Sequence, residues 1–309
     1  METLAVVIEK PGEVALRRLG LAAMGAADLL VEIDWSGIST GTEKLLWSGR
    51  MPPFPGLGYP LVPGYEAVGR VVDAGPDARR FLGQTVFVPG ASCFEGARGL
   101  FGGSARRLVV PAARAVTVEG LGADAALLAL AATARHAIGA GPPPELVVGH
   151  GVLGRLVARL AVALGGAPTV WEVNPARRAG AAGYAVTTAE ADPRSDYATI
   201  CDASGASGLL DLLIGRLARG GEIVLAGFYE APLSFAFPPA FMREARLRVA
   251  AEFASGDVAD VLALVADGRL SLEGLITHTT PAADAPCAYA RAFEDSACLK
   301  MLIDWRELS

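Results

Sequence analysis

Three glycines, Gly149, Gly151 and Gly154, stand at the spacing G-x-G-x-x-G between a short apolar run and a helical one, and few folds accommodate that arrangement. Leu146 to Val148 read as a buried strand running directly into the first glycine. Behind the third, Leu156, Val157, Leu160, Ala161 and Leu164 recur at helical spacing, with Arg155 and Arg159 off that stripe. Gly165-Gly166 ends the helix, and Thr169 to Val173 supply a second strand. A glycine triplet alone is an ordinary turn; flanked by strand, helix and strand it becomes the centre of a βαβ unit.

The reason for the spacing is steric and electrostatic. Gly149 permits a tight turn, Gly151 lets a pyrophosphate approach the backbone, and Gly154 lets helix and strand close together. The helix N-terminus presents N–H groups and a positive dipole end to the phosphates. Glu172 follows about 20 residues on, where an acid accepts hydrogen bonds from ribose hydroxyls. The stretch predicts a dinucleotide site with Gly149, Gly151, Val152, Leu153, Gly154, Glu172, Asn174 and Arg177 as candidate contacts. Glu172 favours NAD over NADP because a carboxylate repels a 2′-phosphate. Arg177 and Arg178 argue the other way, since a nearby arginine can accommodate that phosphate.

A chain of 309 residues suggests two domains with ample material for cores. Its net charge of -6 offers no basic face for nucleic acid. Cys93, Cys201, Cys287 and Cys298 are widely separated with no C-x-x-C pair, so neither a disulfide framework nor a cysteine zinc site is signalled. Met1-Glu2-Thr3 leads straight into a strand-like run, unlike a signal peptide. The longest apolar run, Ala125 to Ala134, is too short to span a bilayer, and a cytoplasmic location is the expectation.

From Leu4 to Val118, short β-branched runs alternate with turns such as Pro11-Gly12, Pro63-Gly64 and Gly75-Pro76, which suggests a barrel-like domain. After Glu172, Ala198 to Asp202 and Glu222 to Gly227 read as strands separated by a helix from Leu209 to Ala218, the alternation of a parallel sheet.

This order of parts resembles the medium-chain dehydrogenase/reductase superfamily over essentially the whole chain. The resemblance rests on Pro63-Gly64-Tyr65-Glu66-Ala67-Val68-Gly69-Arg70-Val71, on Thr133-Ala134-Arg135-His136-Ala137, on the glycine loop, on Gly220-Gly221-Glu222-Ile223-Val224 with Gly227, and on Leu275-Ile276-Thr277-His278. It implies an α/β protein in which a Rossmann-type parallel-sheet domain is inserted into a GroES-like β-barrel catalytic domain. The expected divisions are residues 1–125 catalytic, 126–256 dinucleotide-binding and 257–309 returning to the catalytic domain. By analogy Thr40, Thr133, Ala203, Ala226 and Phe228 approach the cofactor.

The chain departs from the zinc-containing branch. Ser39 stands where those enzymes carry a cysteine after Gly-Ile, Tyr65 where they carry a histidine, and the third ligand position falls near Leu128. Zinc needs at least three protein ligands, usually His, Cys or carboxylate, so a zinc-free member is expected. Without the metal a side chain must take the alcohol proton. Tyr65 is the candidate acceptor or relay, Ser39 its hydroxyl partner and Glu66 an orienting charge; His136 and Lys44 are rival proton carriers. Tyr65 as a space-filler and Glu66 as a structural carboxylate remain open.

The run from Trp35 to Gly56, continuing through Tyr59 to Glu66, is similar to the dehydrogenases of bacteriochlorophyll a biosynthesis. That likeness implies oxidation of a 1-hydroxyethyl group on a bacteriochlorophyllide (tetrapyrrole) substrate to acetyl, with NAD as hydride acceptor. Trp47, Met51, Pro52, Pro53, Phe54 and Tyr59 form an aromatic and proline-rich loop that could lie against the flat ring, pack internally or serve an oligomer contact. Peripheral membrane association and a homodimer are further expectations. A zinc-free NADPH-dependent reductase of quinones or activated alkenes, and a non-catalytic nucleotide sensor, stay as alternatives.

Overall fold

The computed structural model describes residues 1–53 and 55–308. The chain divides into two compact units, one of residues 1–129 with the chain from Leu275 on, the other of Leu130–Gly274. The sequence expectation set these divisions at 126 and 257. Helix Ser255–Ala266 instead stays with the second unit, where His136 pairs with Asp257 at 2.9 Å and Arg135 with Asp260 at 2.9 Å.

The first unit is predominantly β. Strand Asp28–Ile38 lies at its centre, paired antiparallel with Ala67–Ala74 on one side and on the other with Arg107–Pro111 and the returning strand Met301–Asp304. Its register with the return strand sets Met301 opposite Ile38. Helix Ala285–Glu294 buries Ala285, Ala288, Tyr289, Ala292 and Phe293, one stripe at helical spacing. That stripe joins Val6, Leu29, Val31, Ile33, Ile303 and Trp305 in a single core. Burying that apolar surface is what holds the C-terminal segment to the N-terminal one.

The second unit is a six-stranded, all-parallel sheet in the order Ala185–Thr187, Thr169–Trp171, Leu146–Val148, Tyr197–Asp202, Leu217–Leu225, Arg246–Val249. Leu146 to Val148 are buried throughout, as a strand covered on both faces requires. Chain order reverses between Leu146–Val148 and Tyr197–Asp202, and such a switch point opens a crevice at the carboxyl ends of the strands. Among the described residues no helix is long and apolar enough to cross a membrane.

Candidate functional site

Each unit carries part of the expected chemistry. In the second, Gly149, Glu172, Ala203 and Ala226 all follow the carboxyl ends of parallel strands and share one edge of the sheet. Gly149 has φ +93°, and a Cβ there would stand 3.1 Å from Ser204 Cα across the switch point. A Cβ on Gly154 would be 1.9 Å from the carbonyl oxygen of Gly149, so helix Val152–Ala163 closes on the turn only with glycine there. A Cβ on Gly151 would meet nothing within 4 Å. That open space lies in front of the helix N-terminus at Val152 and Leu153, where unpaired N–H groups bind phosphate. The residues present fit a dinucleotide.

Glu172 is buried, and its carboxylate accepts from the backbone N–H of His150 at 2.9 Å and of Asn174 at 2.7 Å. The acid therefore ties the glycine loop to the next turn while keeping further acceptor capacity. Asn174 Oδ1 accepts from Ala176 N at 3.0 Å. Arg178 turns back on the chain, donating to the carbonyls of Glu172 and Val173 at 3.0 Å each. Arg155, expected off the apolar face, is buried. Its guanidinium donates to the carbonyls of His150 (3.1 Å), Gly180 (3.1 Å), Arg177 (3.0 Å) and Ala179 (2.7 Å). The segment after Arg177 folds over this helix face, which helical spacing alone cannot reveal.

His150 Nδ1 lies 2.6 Å from the Arg177 carbonyl and Nε2 lies 2.8 Å from the Tyr184 hydroxyl. A carbonyl only accepts, so Nδ1 carries the proton and Nε2 accepts from Tyr184. Burial pushes the imidazole pKa down and keeps this neutral tautomer. Thr133 lies on helix Leu128–Ile138, Ala203 N donates to Val148 O at 2.9 Å, and Phe228 is exposed. Asp202, which sequence reasoning passed over, braces the crevice floor: it accepts from Ser204 Oγ at 2.6 Å and from the Tyr229 hydroxyl at 2.9 Å.

In the first unit the structure brings Ser39 and Tyr65 together: the Tyr65 hydroxyl donates to Ser39 Oγ at 2.7 Å. Ser39 is 4% exposed, and Tyr65, half-buried as a residue, stands edge-on to Phe101 at 5.2 Å. Desolvation first, and the Glu66 carboxylate second, push the Tyr65 phenol well above its ordinary range. A standing phenolate is thereby disfavoured. Thr40 follows Ser39 in the loop that leads to helix Thr42–Ser48.

Glu66 does not face Ser39 or Tyr65 as a free charge. It is fully buried against Lys300, whose ammonium donates to its two oxygens at 2.8 and 2.6 Å and to Ile38 O at 3.2 Å. Its expected orienting role is corrected to that of a paired structural carboxylate. A Cβ at Gly37 would stand 1.9 Å from Glu66 Oε2, so glycine makes room for the pair. Glu43 was missed altogether. Also fully buried, it accepts from Ser39 N at 3.0 Å and from the Tyr289 hydroxyl at 2.7 Å. Burial raises its carboxyl to about 7.

The rival proton carriers are otherwise engaged: Lys44 donates to Phe293 O at 3.2 Å, and His136 pairs with Asp257. Leu128 is a core side chain. Among the described residues no group of three or more His, Cys, Asp or Glu is placed to hold a metal ion. The proposed ring-facing residues divide: Met51 joins a small core with Leu45, Leu46 and Leu61, against which Trp47 and Tyr59 pack, Pro52 is half-buried and Pro53 is exposed. The Tyr59 hydroxyl donates to Leu46 O at 2.5 Å. Phe54 lies outside the described residues.

Residues 25–120 match the family model described as "Alcohol dehydrogenase GroES-like domain". The chain is 58% identical over 312 residues to the 2-desacetyl-2-hydroxyethyl bacteriochlorophyllide A dehydrogenase of Rhodobacter capsulatus, covering 99% of each. It is 55% identical over 316 residues to the enzyme of the same name from Cereibacter sphaeroides, again covering 99% of each. Among solved structures, L-idonate 5-dehydrogenase of Escherichia coli is similar with a TM-score of 0.85 at 20% identity, over 99% of either chain.

Proposed function

The chain belongs to the family of 2-desacetyl-2-hydroxyethyl bacteriochlorophyllide A dehydrogenases, and on that premise we propose that it oxidises the carbinol of a hydroxyethyl bacteriochlorophyllide to an acetyl group, with NAD as cofactor and without catalytic zinc. The observation that carries the mechanism is the hydrogen bond from Tyr65 to Ser39.

Oxidation removes a hydride from the carbinol carbon and a proton from its oxygen. A nicotinamide dinucleotide, held by Gly149, Gly151, Gly154 and Glu172, supplies the hydride acceptor when bound. The proton is the protein's part. The Tyr65 oxygen retains a lone pair that can accept from the carbinol hydroxyl. As it does so, the Tyr65 proton passes to Ser39 Oγ and the Ser39 proton leaves for solvent water. Each oxygen gains one proton and loses one, so the step avoids the phenolate that burial opposes.

The Glu172 charge supports NAD over NADP, because a 2′-phosphate beside it would meet like charge. Two hydroxyls at Ser39 and Tyr65, with Glu66 already engaged by Lys300, support a metal-independent reaction. A homodimer is supported by the outermost strand Arg246–Val249, where Val249 is 74% exposed, and by the exposed apolar Phe237, Phe241 and Met242.

The test is to incubate chelator-treated protein with the hydroxyethyl bacteriochlorophyllide and NAD, with NADP in parallel. A red-shifted acetyl product formed faster with NAD is expected. No product from protein that binds NAD would sink the reading, and activity restored only by zinc would remove its metal-free part.

A further inference from the structure

Ile38 and Ser39 share one peptide group, and that group is gripped at both ends by buried charges of opposite sign. Lys300 donates to the Ile38 carbonyl at 3.2 Å, and Glu43 accepts from the Ser39 N–H at 3.0 Å. Each charge is itself held: Lys300 by both oxygens of Glu66, Glu43 by the Tyr289 hydroxyl. Lys300, Glu43 and Glu66 are all 0% exposed, so none can swing into water without unpacking the core. A peptide dipole lies with its negative end toward the ammonium and its positive end toward the carboxylate, the favourable orientation for both. Rotating the 38–39 peptide would break charge-assisted bonds on both sides. That peptide aims Ser39 Oγ at Tyr65, 2.7 Å away.

The geometry points to Glu43 as a positioning residue for turnover: its carboxylate, acting with Lys300 on one peptide group, fixes Ser39 in line with Tyr65. The assignment rests on the hydroxyl-relay reading of Ser39 and Tyr65. Both partners of Glu43 are donors in this arrangement, so its protonation takes away acceptor capacity and loosens the grip. The groups facing it are Ser39 and Tyr289 by hydrogen bond and Glu66, Lys300 and Tyr65 by charge. Burial brings its titration close to neutrality, about 7. Turnover should therefore show an acidic limb that belongs to Glu43.

The experiment measures kcat, KM and the pH profile for Glu43→Gln, Glu43→Leu, Ser39→Ala, Tyr65→Phe and the double variant Ser39→Ala/Glu43→Leu, using hydroxyethyl bacteriochlorophyllide and NAD. Glu43→Leu should lose roughly 30- to 100-fold in kcat with little change in KM, the scale expected when a reacting group is misplaced. Glu43→Gln, which can still accept from Ser39 N, should keep more of kcat but lose the acidic limb. The double variant should be no slower than Ser39→Ala, since Glu43 acts through that side chain. Unchanged kcat and pH profile in both Glu43 variants, with Ser39→Ala and Tyr65→Phe impaired, would overturn the positioning role alone. So would a multiplicative loss in the double variant. Full activity in Ser39→Ala and Tyr65→Phe would instead overturn the relay beneath it. If Glu43→Leu fails to fold, the isosteric Glu43→Gln and its pH profile decide.

Discussion

His150 and Arg155 meet on a single atom: the carbonyl oxygen of Arg177 accepts from His150 Nδ1 at 2.6 Å and from the Arg155 guanidinium at 3.0 Å. One residue belongs to the glycine loop and the other to the helix behind it, so the turn that carries Asn174 and Arg177 is fastened to both. The glycine loop and the loop after Glu172 are thus set in one frame.

Arg155→Met should unfasten that frame. It leaves the carbonyl of buried His150 without the guanidinium, and an unsatisfied buried acceptor costs about 1–3 kcal/mol, while Arg177 O keeps its bond from His150 Nδ1 and the carbonyls of exposed Ala179 and Gly180 can turn to water. A fall of about 1–3 kcal/mol in urea unfolding is expected. NAD should also bind more weakly in calorimetry.

The second unit should weaken in mild acid. His150 has a folded pKa below its ordinary 6.5, so its contribution is complete above that value and is lost as pH falls from 6.5 through the lowered one. Protonating Nε2 would set a donor against the Tyr184 hydroxyl, which must then turn and accept. Thermal melts of wild type and His150→Gln across this window test it: the variant should show a shallower dependence on pH.

Gly151 and Gly154 should fail differently. At Gly151 a side chain meets no protein atom within 4 Å, so Gly151→Val should leave stability nearly unchanged and abolish NAD binding. At Gly154 a Cβ would stand 1.9 Å from Gly149 O, so Gly154→Ala should lower the melting temperature itself. Parallel melting and NAD titration separate the two.

Lys300→Met should be among the most damaging single substitutions in the first unit. It leaves the Glu66 carboxylate buried and unpaired, at a cost of about 3–5 kcal/mol. Removing both charges in Lys300→Met/Glu66→Leu should recover much of that loss, because neither group is then stranded. Denaturant midpoints of the two single variants and the double form the cycle, and additive losses would contradict the pairing.

The glycine loop and Glu172 were legible because their spacing is local: one strand, one turn and one helix determine where they go. Ser39 and Tyr65 were legible as a pair through the motifs around them. Glu43, Tyr289 and Lys300 were not, since their meeting depends on the pairing of Met301 with Ile38 and on which stripe of helix Ala285–Glu294 faces inward. One clue was present. Lys300 is one of only three lysines and sits in the otherwise apolar run Cys298 to Ile303, where a buried ammonium demands an acid. The burial of Arg155 was not legible, because helical periodicity locates the apolar stripe but says nothing of a later loop that covers the polar one. By composition the loop from Trp47 to Tyr59 suits a flat ring, internal packing or an oligomer contact equally, and what composition could not show is that Met51, Trp47 and Tyr59 pack with Leu46 and Leu61.

The pairing of Met301–Asp304 with Asp28–Ile38 has a consequence for biosynthesis. The residues of the parallel sheet are contiguous from Leu130 to Gly274 and can assemble as soon as they clear the ribosome. The loop at Ser39, made far earlier, waits for Lys300 to emerge before its peptide is held from both sides. Until then the nascent polypeptide has every residue of its nucleotide fold, while the peptide before Ser39 still lacks the ammonium and the phenol that complete its grip.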